Sequence, residues 1–253
     1  MLKRLDDVDL YLGDCIEVLK TLPDNSVDLV ITSPPYNMRT RVRNGKYTTC
    51  EKSEHFSKKY EHFDDALPID DYFSFHCGVI DELLRVSDTV ILNMQIVTGS
   101  KEAWFKIIGK YALNIKDIVV WDKGHGQPAM HSGILNRATE LILILESNPQ
   151  AGRFLRNATF DRGTLSDIWR IGRGGKKVKG HGAVFPEKLV ELIVDNFKSD
   201  TVLDPFMGTG TTGVVCVNKC RKFIGIEITE NYFNVSEQRI LQAQETILEN
   251  VLC

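Results

Sequence analysis

The run Leu29-Val30-Ile31-Thr32-Ser33-Pro34-Pro35-Tyr36-Asn37 ends an apolar stretch on a rigid polar corner. Two consecutive prolines cannot continue a strand ladder, so the chain turns there with φ fixed. The Ser33 hydroxyl and the Pro34 carbonyl offer two hydrogen-bond acceptors, and Tyr36 offers a flat face. That set suits a planar amine such as the exocyclic amino group of cytosine or adenine. The lone pair of such a nitrogen is delocalised into the ring, which makes it a poor nucleophile. Two acceptors that draw its hydrogens out of the ring plane would localise the lone pair, while the base stacks on the aromatic ring. Taken alone, Ser-Pro-Pro-Tyr is also a plain turn.

A second stretch carries different chemistry. Within Thr201–Ile228, Gly208, Gly210 and Gly213 stand in G-x-G-x-x-G spacing between an apolar run and a helical pattern, and Glu227 ends the next apolar run. Glycines allow a tight turn and close approach of backbone to a ligand. A carboxylate at the following strand end can accept from both hydroxyls of a ribose. No Gly-Lys-Ser/Thr is present, so the loop is not a phosphate-cradling P-loop. A dinucleotide-dependent dehydrogenase, the other reading of the glycines, normally carries this unit near its start. Asp204-Pro205 before the glycines also suits a sulfonium-bearing cofactor, because a carboxylate repels pyrophosphate and attracts cations. None of the eight prolines precedes a cysteine, which disfavours attack through a thiolate on the ring carbon of cytosine.

Alternating apolar and amphipathic segments predict the elements that position these motifs. Strands are expected at Val8–Leu12, Val27–Thr32, Thr89–Val97, Ile115–Trp121, Glu140–Leu145, Thr201–Leu203 and Phe223–Ile226. Helices are expected at Cys15–Leu22, Ile69–Val86, Lys101–Tyr111, Pro186–Phe197 with proline in the first turn, Gly210–Asn218 and Glu230–Leu248. A mostly parallel sheet with helices on both faces follows, in a single domain over residues 1–253. Two stretches break the alternation. Met38–Tyr60 carries seven Lys/Arg against two Glu with Tyr47, Phe56 and Tyr60 interleaved, and Arg170–His181 carries five Lys/Arg and no acid. Loops of such length in a domain are usually functional or disordered.

Bulk composition narrows the class. The net charge of -3 says nothing for nucleic acid, so only local clustering can. The six cysteines are scattered without a CxxC pattern, so neither a disulfide framework nor a metal site is expected. The charged start MLKRLDDVDL is unlike a signal peptide and no apolar run is long enough to span a bilayer, so a cytoplasmic protein without membrane contact is expected.

With these motifs in hand, the chain resembles the DNA amino-methyltransferases of the permuted β class, in which the catalytic motif precedes the cofactor motif. The resemblance rests on Gly13-Asp14-Cys15, Thr32–Asn37, His181-Gly182-Ala183-Val184-Phe185-Pro186-Glu187, Asp204–Thr212 and Gly225-Ile226-Glu227, in the family's order. It implies a Rossmann-like fold with circularly permuted motif order and S-adenosylmethionine as cofactor. The cofactor would be held by Asp204, Pro205, Phe206, Gly208, Gly210, Thr211, Thr212 and Glu227. Phe185 and Glu187 would flank its methionine and Asp14 its adenine. Ser33, Pro34, Pro35 and Tyr36 become the catalytic residues. His181, beside a glycine where the family often has proline, reads as structural or DNA-facing.

Serine at the first motif position is similar to N4-cytosine enzymes, and aspartate is commoner in N6-adenine enzymes, although either oxygen accepts from an amine. A base in a duplex must be flipped out to reach such a pocket. Asn37, Arg39, Arg41, Arg43, Arg170, Arg173, Lys176 and Lys177 are the expected contacts to double-stranded DNA. The first basic stretch, about 38–65, would close over DNA, and an insertion at about 147–182 would recognise the target. A cognate restriction endonuclease and a homodimer are the further partners expected. Competing readings are an RNA or protein amino-methyltransferase, a dehydrogenase and a non-catalytic DNA-binding module. The first usually carries Asn before Pro-Pro-Tyr, the second leaves that motif unexplained, and the third needs only the basic loops.

Overall fold

A computed structural model of the chain describes residues 1–37, 42–43, 46–47, 67–97, 99–127, 132–173 and 185–252. The first half forms β1 (Leu2–Leu5), β2 (Val8–Leu12), α1 (Cys15–Leu19), β3 (Leu29–Thr32), β4 (Val42–Arg43), β5 (Lys46–Tyr47), α2 (Ile69–Val86), β6 (Thr89–Met94) and α3 (Lys101–Lys110). The second half forms β7 (Ile115–Gln127), β8 (Arg137–Glu146), β9 (Ile168–Arg170), α4 (Glu187–Asn196), β10 (Thr201–Asp204), α5 (Thr211–Asn218), β11 (Lys222–Glu227) and α6 (Glu230–Leu252).

Nine strands form one sheet in the order β1-β2-β11-β10-β3-β6-β8-β7-β9, and β4 pairs with β5 apart from it. The five strands β2, β11, β10, β3 and β6 run parallel to one another. The runs in β3, β6 and β10 are apolar on both faces because helices cover both. Helices α1, α2 and α3 pack Leu19, Tyr72, Leu83 and Trp104 on one face. Helices α4, α5 and α6 pack Ile193, Cys216, Phe233 and Ile240 on the other. A fully buried Leu or Ile, such as Leu29, Ile31 or Ile91, contributes roughly 1.5–3 kcal/mol through the water it sheds.

The expected alternation holds from β2 to β6 and in the last third. Three features were not foreseen in the sequence. Residues 128–136 are too few for a parallel crossover, so β7 and β8 form an antiparallel pair. Strands β1 and β9 extend the two edges: β1 is mostly exposed and short, and β9 has three residues. Pro186, expected inside the first turn of α4, is its N-cap with φ -68° and ψ 130°, so the helix starts at Glu187. No helix among the described residues is long and apolar enough to cross a membrane.

Candidate active site

The chain leaves β10 through α5 to β11 on one side and leaves β3 through α2 to β6 on the other. These adjacent strands are therefore the point where strand order reverses, the place at which open α/β sheets form a crevice beyond the strands' carboxyl ends. Open α/β sheets bind their ligands in that crevice. The sequence places Ser33-Pro34-Pro35-Tyr36 after β3 and the glycine loop after β10, so both motifs meet there. A buried hydrogen bond joins them: the Thr32 hydroxyl donates to Asp204 Oδ1 at 2.9 Å.

The glycine loop is held mainly from within. Asp204 accepts from the Thr212 hydroxyl at 2.7 Å and the Phe206 backbone N–H at 3.1 Å, besides Thr32. Burial pushes its carboxyl up to about 6, against the downward pull of those donors. Glu227 Oε2 accepts from Gly208 N–H at 3.0 Å and Oε1 from Thr229 N–H at 2.8 Å, and burial raises its carboxyl as well. Gly210 has φ +77°, and a Cβ there would lie 2.7 Å from the Cβ of Ser236, so the turn needs glycine on two counts. Arg239 of α6 clasps the loop from outside, donating to the Thr209 carbonyl at 2.5 Å and reaching Glu187 at 3.3 Å. Gly13 N–H donates to the Glu227 carbonyl at 3.0 Å, which brings Asp14 to the end of β2 beside the end of β11.

The acceptor corner is assembled across four strands. Register pairs Thr32 with Leu92, Asn93 with Ile142 and Glu140 with Trp121. Side chains of a pleated sheet alternate, so Ser33, Asn93, Glu140 and Lys123 share one face at the carboxyl edge of β3 and β6. The Ser33 Oγ and Tyr36 Oη lie 3.0 Å apart. Asn93 Nδ2 lies 2.8 Å from Glu140 Oε2, 3.0 Å from Tyr36 Oη and 3.2 Å from Ser33 Oγ. Tyr36 donates to Glu140 Oε2 at 3.2 Å. On its other oxygen Glu140 takes a hydrogen bond from Lys123 at 2.8 Å, in an ion pair whose side chains are 0% and 10% exposed. The register of β7 shifts between Asp122 and Gln127, the segment that holds Lys123; bulges of this kind re-aim side chains beside active sites. Behind the corner, the Tyr72 hydroxyl donates to the Pro35 carbonyl at 2.9 Å and fixes the second proline.

Ser33, Pro34, Pro35 and Tyr36 thus follow β3, while Asp204, Pro205, Phe206, Gly208 and Gly210 end or follow the neighbouring β10. Thr211 and Thr212 turn their hydroxyls inward, to Arg239 and Asp204. Phe185 packs edge-on against Trp121 with ring centroids 6.2 Å apart. Asn37, expected to face DNA, is instead buried, with its amide on the carbonyls of Leu67 at 2.8 Å and Gly99 at 3.5 Å. Its donors are spent inside the protein, so it braces the corner. Arg170 and Arg173 border a cavity of about 470 Å³ whose other wall is residues 122–125, next to the buried ion pair. Arg39, Arg41, Lys176, Lys177 and His181 lie outside the described residues, and of Arg43 only the backbone is described. Sequence reasoning missed Thr32, Asn93, Lys123, Glu140 and Arg239. The available signal was a lone polar residue inside an apolar strand, as in Val90-Ile91-Leu92-Asn93 and Glu140-Leu141-Ile142-Leu143.

Fold and site together define a Rossmann-like α/β protein that sets two polar motifs side by side at the strand switch point. A family model for DNA methylases of the N6/N4 type matches residues 27–238, and the chain belongs to this family. It is 29% identical to the type II methyltransferase M.HinfI of Haemophilus influenzae over 253 residues, covering 90% of this chain and 67% of that protein. It is 25% identical to the type II methyltransferase M2.DpnII of Streptococcus pneumoniae, covering 94% of this chain and 91% of the relative. The solved structure of the cytosine-N4-specific PvuII DNA methyltransferase superposes with a TM-score of 0.68 at 18% identity, over 96% of this chain and 93% of that one. The complex of M1.HpyAVI with S-adenosylmethionine superposes with a TM-score of 0.57 at 20% identity, over 92% and 99% of the two chains.

Proposed function

We propose that this enzyme transfers a methyl group to the N4 amino group of cytosine in double-stranded DNA. The observation that carries this reading is the Ser33 hydroxyl, with the Pro34 carbonyl beside it, at the strand switch point and one residue from the Thr32–Asp204 bond. S-adenosylmethionine supplies an activated methyl group when bound. The residues present fit it. Asp14, Asp204 and Glu227 set carboxylates at three neighbouring strand ends, which favours a cationic cofactor over a polyphosphate. Glu227 spends one lone pair of each oxygen on a backbone N–H and keeps others for ribose hydroxyls. Glycines 208 and 210 let the backbone approach, Pro205 and Phe206 belong to the same loop, and Glu187 is tied to it through Arg239.

In this reading Ser33 and the Pro34 carbonyl accept the two amine hydrogens, tilt them from the ring plane and expose the nitrogen lone pair. Tyr36 supports the flipped base. Arg170 and Arg173 contact phosphates near the extruded nucleotide, and the basic residues at 39–43 and 176–177 add to that contact. Serine in place of a carboxylate, together with the likeness to a cytosine-N4-specific enzyme, supports cytosine as the target. Incubation with mixed-sequence DNA and S-adenosylmethionine, followed by nucleoside mass spectrometry, tests it. N4-methylcytosine is expected. N6-methyladenine alone would overturn the base assignment, and unmodified DNA beside bound cofactor would turn attention to RNA or protein.

A further inference from the structure

The proposed role of Ser33 leaves a problem in proton placement. A serine hydroxyl both donates and accepts, and a donor pointed at an amine hydrogen would repel it. We infer that Glu140, held in place by Lys123, is a positioning residue that fixes the direction of the hydrogen bonds, so that Ser33 presents only an acceptor to the target amine.

The protons can be counted. Lys123 has donors and no acceptor, and it is fully buried against Glu140 Oε1 at 2.8 Å, so the pair is ionic and Glu140 can only accept. The single proton of Tyr36 therefore goes to Glu140 Oε2 at 3.2 Å. With that proton spent, the 3.0 Å contact between Ser33 and Tyr36 must be a donation from Ser33. Glu140 orients the amide of Asn93 too, drawing Nδ2 towards itself at 2.8 Å. The second hydrogen of that nitrogen is shared between Tyr36 at 3.0 Å and Ser33 at 3.2 Å. Ser33 has then given away its hydrogen and received part of another. What remains on its oxygen is a lone pair. The direction runs from Ser33 through Tyr36 to Glu140, and the buried ammonium keeps the end of the chain charged.

This inference rests on Ser33 being the amine's acceptor, and the test separates the two claims. In Glu140→Gln, Lys123 retains the amide oxygen, so the amide nitrogen faces Tyr36 and Asn93. The chain reverses, and Ser33 turns its hydrogen to the substrate. We expect kcat to fall about 10- to 100-fold, while the KM for DNA and cofactor affinity by calorimetry hold; the melting temperature falls, because Lys123 is left as a buried charge without its counter-ion. The loss should not add to that of Ser33→Ala in the double variant, because the chain acts through Ser33. Adding Lys123→Met to Glu140→Gln frees the amide to turn its oxygen towards Tyr36, and part of kcat should return. Full activity of Glu140→Gln beside a crippled Ser33→Ala would overturn the relay and leave the acceptor role of Ser33 standing. Additive losses would overturn it as well, since they make Glu140 a prop with no tie to Ser33. Full activity of Ser33→Ala would remove the acceptor role itself. If Lys123→Met does not yield folded protein, the Ser33 double variant decides.

Discussion

In the cofactor loop, Asp204, Phe206, Gly208, Thr212 and Glu227 come from one stretch of 201–227, and their hydrogen bonds close over short separations along the chain. In the acceptor corner, Ser33, Asn93, Lys123 and Glu140 come from four strands and meet only because the sheet register brings them to one face. The loop keeps its shape by local turn chemistry. The corner keeps its shape only if four strands hold register to the residue, because a slip by one would send every side chain to the other face. Damage to the two regions should therefore look different.

The largest effect is expected at the corner. Ser33→Ala should lower kcat about 10²–10³-fold, in line with removing one preorganised hydrogen-bonding group from an active site, with cofactor affinity unchanged in calorimetry. A matching loss of cofactor affinity would show that the regions are not separable. Tyr36→Ala should lose about 10–100-fold through stacking, and full activity there would remove the stacking role.

Next comes Gly210→Ala in the loop, with the opposite pattern. The αL backbone and the contact 2.7 Å from Ser236 should cost about 2–4 kcal/mol in urea unfolding and weaken cofactor binding. Ser236→Gly in the same chain should return only part of the steric cost, since the Cα of residue 236 stays 3.0 Å from the added Cβ, and should leave the backbone part. If it returns nothing, strain alone governs the turn.

A pH experiment reads the bond between the regions. The Asp204 carboxyl sits at about 6 when folded, against an ordinary 3.8, because burial disfavours its charge. Between those values the folded chain binds a proton that the unfolded chain does not. The stability from this group is thus fully present below the ordinary value and lost as pH rises through about 6. Compared with Asp204→Asn, the wild-type enzyme should lose on the order of 2–3 kcal/mol between acid and neutral pH, read as a widening gap in melting temperature. Parallel profiles would show that the charge does not matter. Arg239→Met should have the smallest effect, weakening cofactor binding about tenfold, equivalent to the loss of a charged hydrogen bond, with kcat at saturation unchanged.

The same contrast explains what was legible in the sequence. The glycines, Asp204 and Glu227 could be read in a line because their spacing is their geometry. Ser33-Pro34-Pro35-Tyr36 could be read for the same reason. Asn93, Lys123 and Glu140 could not: Asn93 is one polar residue near the end of an apolar run, Glu140 stands at the start of one, Lys123 lies among polar residues and glycines, and the neighbours of all three are set by strand order. Helix α2 matched its expected limits, Ile69–Val86, because its apolar period is clean and Ser87 ends it in extended conformation. Strand β9 was hidden in a stretch dominated by basic and glycine residues, and only its pairing with Val120–Asp122 reveals it. Asn37 was misjudged because proximity to the catalytic motif suggested exposure, whereas the carbonyls of Leu67 and Gly99 draw it inward.

Synthesis from one end to the other meets an awkward strand order. Strands β2 and β3 are made early, yet β10 and β11 lie between them in the sheet and end only at Glu227. Until then a nascent chain carries a gap two strands wide. Its two sides, including the wholly apolar Leu29-Val30-Ile31, are open to pairing with the wrong strand. The crevice cannot exist before the gap is filled, so this fold assembles after translation of its last third, with the slow kinetics of distant pairings. A prematurely terminated chain would be a candidate for aggregation or a chaperone, with no partial activity to show.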